Sequence, residues 1–247
     1  MSKDIITHFL FKKTIFFICF NSCLLFCLSA ENYNSILQRN FNINEVNAFD
    51  RLIMNPYSKP LDYTGSAVTA LTLLTPAVMF AAPVQDYWKI GLEYAETLAL
   101  SFGVERLFKF CVSRPRPYMY FDNPPVNEIE NGDWDDSFFS AHTTWSFAAA
   151  TFTTFKFCQY FPDSVYKPFV IAGSYSLALT TAILRMASGN HFLTDVICGA
   201  AVGSAIGFLI PWINSFWLKP TIKNENKNES NLAVDISPLG FSLTYKF

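Results

Sequence analysis

Lys109, Arg116 and Arg185 supply three cations, His142 and His191 two imidazoles, and Asp195 a carboxylate, in a 247-residue chain with 15% charged residues and only three histidines. They stand in three short segments: Lys109 with Arg116-Pro117, Ser140-Ala141-His142, and Arg185 with His191 and Asp195. Phosphoryl transfer needs groups of these types. Its trigonal-bipyramidal transition state spreads negative charge over the equatorial oxygens, and an enzyme working without metal must meet them with fixed donors. Arg116 and Arg185 offer planar two-pronged donors, and Lys109 a point charge. Ser140 starts a helical segment, where its hydroxyl and the free first-turn N–H groups make an anion site reinforced by the helix dipole. The four-residue spacing of His191 and Asp195 predicts one helical face, with the carboxylate accepting the Nδ1 hydrogen and Nε2 left as nucleophile. His142 is then the acid for the leaving oxygen.

The elements that must position these groups read as membrane helices. Hydrophobic residues make up 51% of the chain and Phe alone accounts for 26 positions, beyond the usual soluble range. A net charge of −2 excludes a broad basic nucleic-acid surface. The cysteines, at 19, 23, 27, 111, 158 and 198, sit in or beside apolar runs without zinc-binding spacing, so they read as small buried hydrophobes. No metal and no cofactor is expected, and nothing in the sequence speaks to oligomeric state.

Residues 1–30 form a signal peptide or a first transmembrane helix, since the uncharged run Thr14 to Ala30 follows Lys12-Lys13 and ends in Leu-Ser-Ala. Residues 31–62 are an external polar segment with an amphipathic helix expected near Glu45 to Met54, lying on the membrane surface. Within 63–218, apolar runs predict spans at Tyr63–Gln85, Tyr87–Phe110, Thr143–Phe161, Pro168–Leu184 and Val196–Leu218. The second of these carries Glu93, Glu96, Glu105 and Arg106; a cluster of Glu93 and Glu96 with a cation such as Arg106 is expected inside the bundle. Glu105 and Lys109 are placed for a local ion pair. Gly199, Gly203 and Gly207, four apart, predict a close helix–helix seam. The loop Asp122 to Asp136 holds six acids and no base and reads as solvated. In the polar tail 219–247, the alternation of Phe241, Leu243, Tyr245 and Phe247 with polar residues fits a short strand. Span parity from a cytoplasmic N-terminus puts all three motif segments outside, and segments 84–89, 156–167 and the tail from Lys219 inside with most of the lysines.

The pattern Lys109-x6-Arg116-Pro117, Ser140-Ala141-His142 and Arg185-x5-His191-x3-Asp195 resembles the three signature motifs of the type 2 phosphatidic acid phosphatase (PAP2) superfamily, over about Asp50 to Leu218. That resemblance implies an all-α fold of six transmembrane helices, or five if the N-terminal segment is cleaved. It implies a metal-independent phosphatase with a phosphohistidine intermediate, acting on phospholipid or polyprenyl phosphates or pyrophosphates at the outer face of a bacterial inner membrane. By position, Lys109, Arg116 and Arg185 would hold phosphate with Ser140 and Ala141. His142 would be the acid/base, His191 the nucleophile and Asp195 its orienter. Two positions depart from the pattern: Phe139-Ser140-Ala141 stands where Pro-Ser-Gly is usual, and Leu184 where Ser precedes the Arg. Two alternatives stay open, a non-catalytic lipid-phosphate binder and an enzyme like the vanadate-dependent haloperoxidases, which share the same anion cage.

Overall fold

The computed structural model describes residue 36, residues 38–221 and the strand segments 232–237 and 240–245. The expectation for residues 1–30 lies outside the described residues. Five long helices make the body: α1 (Lys59–Leu73), α2 (Tyr87–Cys111), α3 (Ala141–Tyr160), α4 (Lys167–Ala187) and α5 (Leu193–Asn214). The first expected span starts earlier than its apolar run. Pro60, in the opening turn of α1, needs no N–H partner there, so the helix begins on the charged Lys59. At the far end Pro76 lacks the donor for another α-turn, and the chain continues as the 3-10 segment Thr75–Ala81.

The central element is α3. Ala148, Ala149, Ala150 and Phe152 on it are fully buried, and it packs against α1, α2, α4 and α5. Its closest approach is to α5, where a Cβ on Gly203 would come 2.2 Å from the Thr144 carbonyl oxygen and one on Gly207 2.4 Å from that of Ala148. Only hydrogen fits at those two crossing points, so the glycine stripe is a backbone-to-backbone seam.

Polarity is distributed inside out relative to a soluble bundle. Glu93, Thr97, Ser101, Thr144, Ser146, Thr153 and Lys156 are buried, while Leu71, Phe169, Leu179, Ile183, Ile197 and Phe208 are exposed. Lys156 pairs with Glu93 at 2.8 Å, both fully buried, and Asn214 donates to Glu96 at 2.7 Å. Arg106, expected as the partner of these acids, instead lies on the outer side of α2, half-exposed and 3.7 Å from Glu105. Lys59–Ala81, Lys167–Ala187 and Leu193–Asn214 are long and apolar enough to cross a membrane. At 25 and 20 residues, α2 and α3 are of similar length but carry the interior polar groups. The body of the protein is thus an all-helical membrane bundle. A separate antiparallel hairpin, β1 (Leu232–Ser237) and β2 (Gly240–Tyr245), pairs Leu232 with Tyr245 and Ser237 with Gly240.

The two ends of the bundle differ. At one end the buried Asp86 carboxylate accepts from Lys89 Nζ (2.6 Å), the Thr221 N–H and hydroxyl (2.7 and 2.8 Å) and Tyr160 Oη (3.2 Å). The segments before α2, after α3 and after α5 therefore meet. The three motif segments occupy the opposite end, joined by residues upstream of α1. In place of one amphipathic helix from Glu45 to Met54 there are a 3-10 turn, Ile43–Glu45, and a short helix, Ala48–Arg51. The Asn47 side chain caps that helix, and Asp50 is fully buried against the motif segments. A buried carboxylate bonded to the start of α5 ties this segment to the bundle.

Candidate active site

The third motif is shaped by a turn. Helix α4 ends at Ala187, and Gly189 takes φ +75°, the left-handed region. A Cβ there would lie 2.6 Å from the Asn55 carbonyl oxygen, so the turn requires glycine. Gly189 N–H donates to the Met186 carbonyl (3.0 Å) and His191 N–H to that of Arg185 (3.3 Å), fixing His191 beside Arg185 in the last turn of α4. His191 precedes Phe192, the N-cap of α5, so it does not share a helical face with Asp195. The expected Asp195–His191 hydrogen bond is replaced by another. Nδ1 of His191 lies 2.8 Å from the Ser137 carbonyl oxygen, to which it donates, and 3.8 Å from the Asp195 carboxylate. Asp195 is engaged elsewhere, accepting from Phe192 N–H (2.9 Å), from Ser137 Oγ (2.6 Å) and from Arg114. As the third residue of α5 its carboxylate closes the helix start, and Ser137 links it indirectly to the histidine.

Ser137 is delivered by the loop between α2 and α3. Pro115 and Pro117 keep the backbone around Arg116 extended. Arg114 N–H then donates to the Asp135 carbonyl (2.7 Å), Arg116 N–H to that of Trp134 (2.8 Å), and Ser137 N–H to that of Arg114 (3.1 Å). Beneath this pairing lies an apolar cluster of Ile36, Tyr118, Met119, Ile129 and Trp134. Arg114 reaches Asp195 with one nitrogen, also bonding Thr194 Oγ1 at 2.9 Å, and Asp50 with the other at 2.6 Å. Asp50 in turn accepts the Thr194 N–H (2.8 Å) and hydroxyl (2.7 Å), capping α5 from a distant segment. Burial pushes the Asp50 carboxyl up, but Thr194, Arg114 and Asn47 bonding its ionised form hold it below the usual 3.8.

Each sequence-predicted cation has a protein partner. Lys109, in the last turn of α2, pairs with Glu105 at 2.8 Å. Arg116, 7% exposed, donates to Asn190 Oδ1 at 2.8 Å, with Asp133 at 3.9 Å. Arg185, 3% exposed, pairs with Asp62 of α1. The Nε donors of both arginines are buried with no partner among the described residues. Ser140 is the N-cap of α3 without a side-chain cap bond; its hydroxyl accepts from Thr143 Oγ1 at 3.0 Å, and its N–H donates to the Asp195 carbonyl at 3.2 Å. The Ser140 N–H is therefore not among the free donors, which begin at Ala141. Ala141 is already helical, with no positive φ, so the usual glycine's freedom is not needed there. Phe139 is buried with its ring centroid 5.2 Å from that of Phe108. His142 lies one helical position on, its Nε2 3.4 Å from Ser66 Oγ.

These groups converge on His191. Burial first, then the charges of Arg116, Arg185 and Lys109 and the ring of His142, push its imidazole well below the usual 6.5. These effects favour the neutral ring, and with Nδ1 donating to the Ser137 carbonyl the lone pair of that form is on Nε2. Sequence reasoning missed Asp50, Asp62, Arg114, Ser137 and Asn190. The Arg114-Pro115-Arg116-Pro117 repeat was the one signal available, because two arginines in extended backbone two apart point the same way.

An all-helical membrane bundle thus gathers three cations and two imidazoles at one end. Residues 90–219 match the family model of the PAP2 superfamily, more than half of the 247, and the chain belongs to that family. Over 130 residues it is 30% identical to a lipid A 1-phosphatase of Porphyromonas gingivalis, which is 53% of this chain and 25% of that protein. The chain thus spans about a quarter of the length of that relative. Among solved structures it is similar to a transmembrane PAP2-type phosphatidylglycerolphosphate phosphatase from Bacillus subtilis (19% identity, 88% of this chain and 98% of that one, TM-score 0.47). It is also similar to Aquifex aeolicus LpxE (22% identity, 66% and 92%, TM-score 0.42).

Proposed function

We propose that the protein is an integral membrane phosphatase that hydrolyses a phosphate monoester of a lipid through a phosphohistidine on His191. The observation that carries this reading is the buried His191 ring, held at Nδ1 by the Ser137 carbonyl and beside Arg185, with the charges of Arg116 and Lys109 acting on it. In the first step Nε2 of His191 attacks phosphorus in line, the P–N bond forms and the ester P–O bond breaks. His142 gives its proton to the departing oxygen, and the three cations, with the first-turn amides from Ala141 on, hold the equatorial oxygens. In the second step His142 takes a proton from water, which attacks phosphorus; the P–N bond breaks and inorganic phosphate leaves.

Asp195 is assigned to positioning, because it fixes Ser137 and the start of α5. Membership of the PAP2 superfamily and the resemblance to a lipid A 1-phosphatase support lipid phosphate as the substrate class. The proposed setting is a bacterial inner membrane with the site facing outward, supported by the lysines on the segments at the Asp86 end. Release of inorganic phosphate from lipid phosphates by the purified protein should persist in excess EDTA and be blocked by vanadate, whose trigonal-bipyramidal complex resembles the transition state. Activity lost on chelation and restored by magnesium would overturn the metal-free mechanism.

A further inference from the structure

Helix α1 lies wholly upstream of the family-matched residues 90–219, yet one face of it enters the site. Asp62, Gly65, Ser66 and Thr69 follow the i, i+3, i+4, i+7 spacing of a single helical stripe. Gly65 and Thr69 are buried and Asp62 and Ser66 half-buried, whereas Tyr63, Thr64, Ala67 and Ala70 are exposed. The stripe is therefore the side turned to α3 and α4, against which α1 packs. Asp62 and Gly65 meet Arg185 there, and Ser66 meets His142.

At Arg185, the Asp62 carboxylate and, at 3.4 Å, the Asp62 backbone carbonyl both accept from Nη1. Tyr57 Oη donates to the other oxygen of the same carboxylate at 2.9 Å, which fixes the acceptor itself. A Cβ on Gly65 would lie 3.3 Å from Cδ of Arg185, so the bare glycine makes the slot in which the arginine stem runs. Nε, on the other edge of the guanidinium, is left buried and without a partner among the described residues.

At His142 the contact bears on proton transfer. Ser66 Oγ stands 3.4 Å from Nε2, the one hydrogen bond of that ring among the described residues, and the Trp145 ring lies 5.9 Å away, centroid to centroid. An imidazole that passes protons through one nitrogen needs the other held, because the partner of that second nitrogen sets the tautomer. A hydroxyl accepting from Nε2–H leaves Nδ1 to carry the transferred proton. In the first step the doubly protonated ring gives its Nδ1 proton to the departing oxygen and becomes the Nε2–H tautomer. In the second step the vacant Nδ1 takes a proton from water, while the Nε2 proton stays on Ser66 throughout as a hydrogen bond.

We propose that Ser66 is a positioning residue of the phosphatase that fixes the tautomer of His142, and that Asp62 and Gly65 beside it on α1 set Arg185. The inference rests on the phosphatase reading above and deepens it. Because Ser66 acts through the proton donor and Asp62 through a phosphate-holding cation, their variants should differ in how they depend on the leaving group. The purified natural protein, Ser66→Ala, Ser66→Thr and Asp62→Asn are compared in detergent on dodecyl phosphate and nitrophenyl phosphate. The expected result for Ser66→Ala is a fall in kcat of about tenfold on dodecyl phosphate with KM little changed, and a much smaller fall in the nitrophenol burst rate. Ser66→Thr, which keeps the hydroxyl, should recover most of the loss, and Asp62→Asn should lower both rates alike. Nitrogen NMR of the labelled natural protein should show the neutral His142 ring protonated on Nε2. Full activity of Ser66→Ala on dodecyl phosphate, equal losses in it on the two substrates, a leaving-group dependence in Asp62→Asn, or a neutral His142 protonated on Nδ1 would overturn the assignment and leave the phosphatase standing. No phosphate released from either substrate by the natural protein would overturn the phosphatase reading, and the assignment with it.

Discussion

Burial and the charges of Arg116, Arg185 and Lys109 act on His191 in one direction, so its ring should keep Nε2 unprotonated well below pH 6.5. A histidine whose folded pKa is depressed binds its proton more tightly when unfolded, so its protonation opposes folding as pH falls through 6.5. Nitrogen NMR of the labelled protein at about pH 5.5 should show a neutral His191 with the proton on Nδ1. A protonated ring at that pH would contradict the site's electrostatics. The two histidines should also part in kinetics. His191→Ala removes the proposed nucleophile and should abolish turnover of every substrate. His142→Ala removes the proton donor, which an alkoxide needs and a nitrophenolate hardly needs. It should fail on lipid phosphate, yet release one equivalent of nitrophenol from nitrophenyl phosphate and then stall. A burst in His191→Ala and none in His142→Ala would exchange their roles.

At the scale of elements, Arg114 joins three segments: the short helix bearing Asp50, the loop before α3 and the start of α5. Arg114→Gln leaves two buried carboxylates without their cation and should cost about 3 kcal/mol or more, read as a lowered unfolding midpoint in detergent. An unchanged midpoint would mean that water serves those carboxylates equally well. Asp50 gives the same link a pH signature. Its pKa is depressed below 3.8, so its stabilisation is complete above that value and is lost as pH falls through the lower folded one. Hydrogen exchange over residues 43–54 should therefore stay slow at about pH 5 and speed up only in stronger acid. On the bundle's seam, Gly203→Ala would drive a methyl to 2.2 Å from the Thr144 carbonyl and should destabilise by about 1–3 kcal/mol. These elements also mark where the sequence was legible. Apolar runs located α2 to α5 to within about four residues but carried the first span to Gln85, past the end of α1 at Leu73, while the glycine stripe named its own seam, because it is periodic along one element. The Asp195–His191 pairing was misread because periodicity was carried backwards through a helix start that the Gly189 turn forbids. Arg114 and Asp62 were not legible as site residues, since their partners lie 64 and 123 positions away and no local spacing connects them.

For the whole molecule, Asp86 and Thr221 bond to one another, so the turn before α2 and the segment after α5 share one end, opposite the site. If that end is cytoplasmic, a fluorescent reporter fused after Phe247 should light and a secreted-phosphatase reporter there should be silent. The reverse pattern would put the site in the cytoplasm and remove exported lipids from its reach. One measurement tests whether His191 takes the phosphoryl group while protein cations replace a metal. His142→Ala is mixed with nitrophenyl [32P]phosphate in excess EDTA and quenched in base, and the label is mapped. About one phosphate per chain should be trapped, stable to base, lost in acid and located on His191. No trapped label, label on another residue, or label appearing only when magnesium is returned would contradict it.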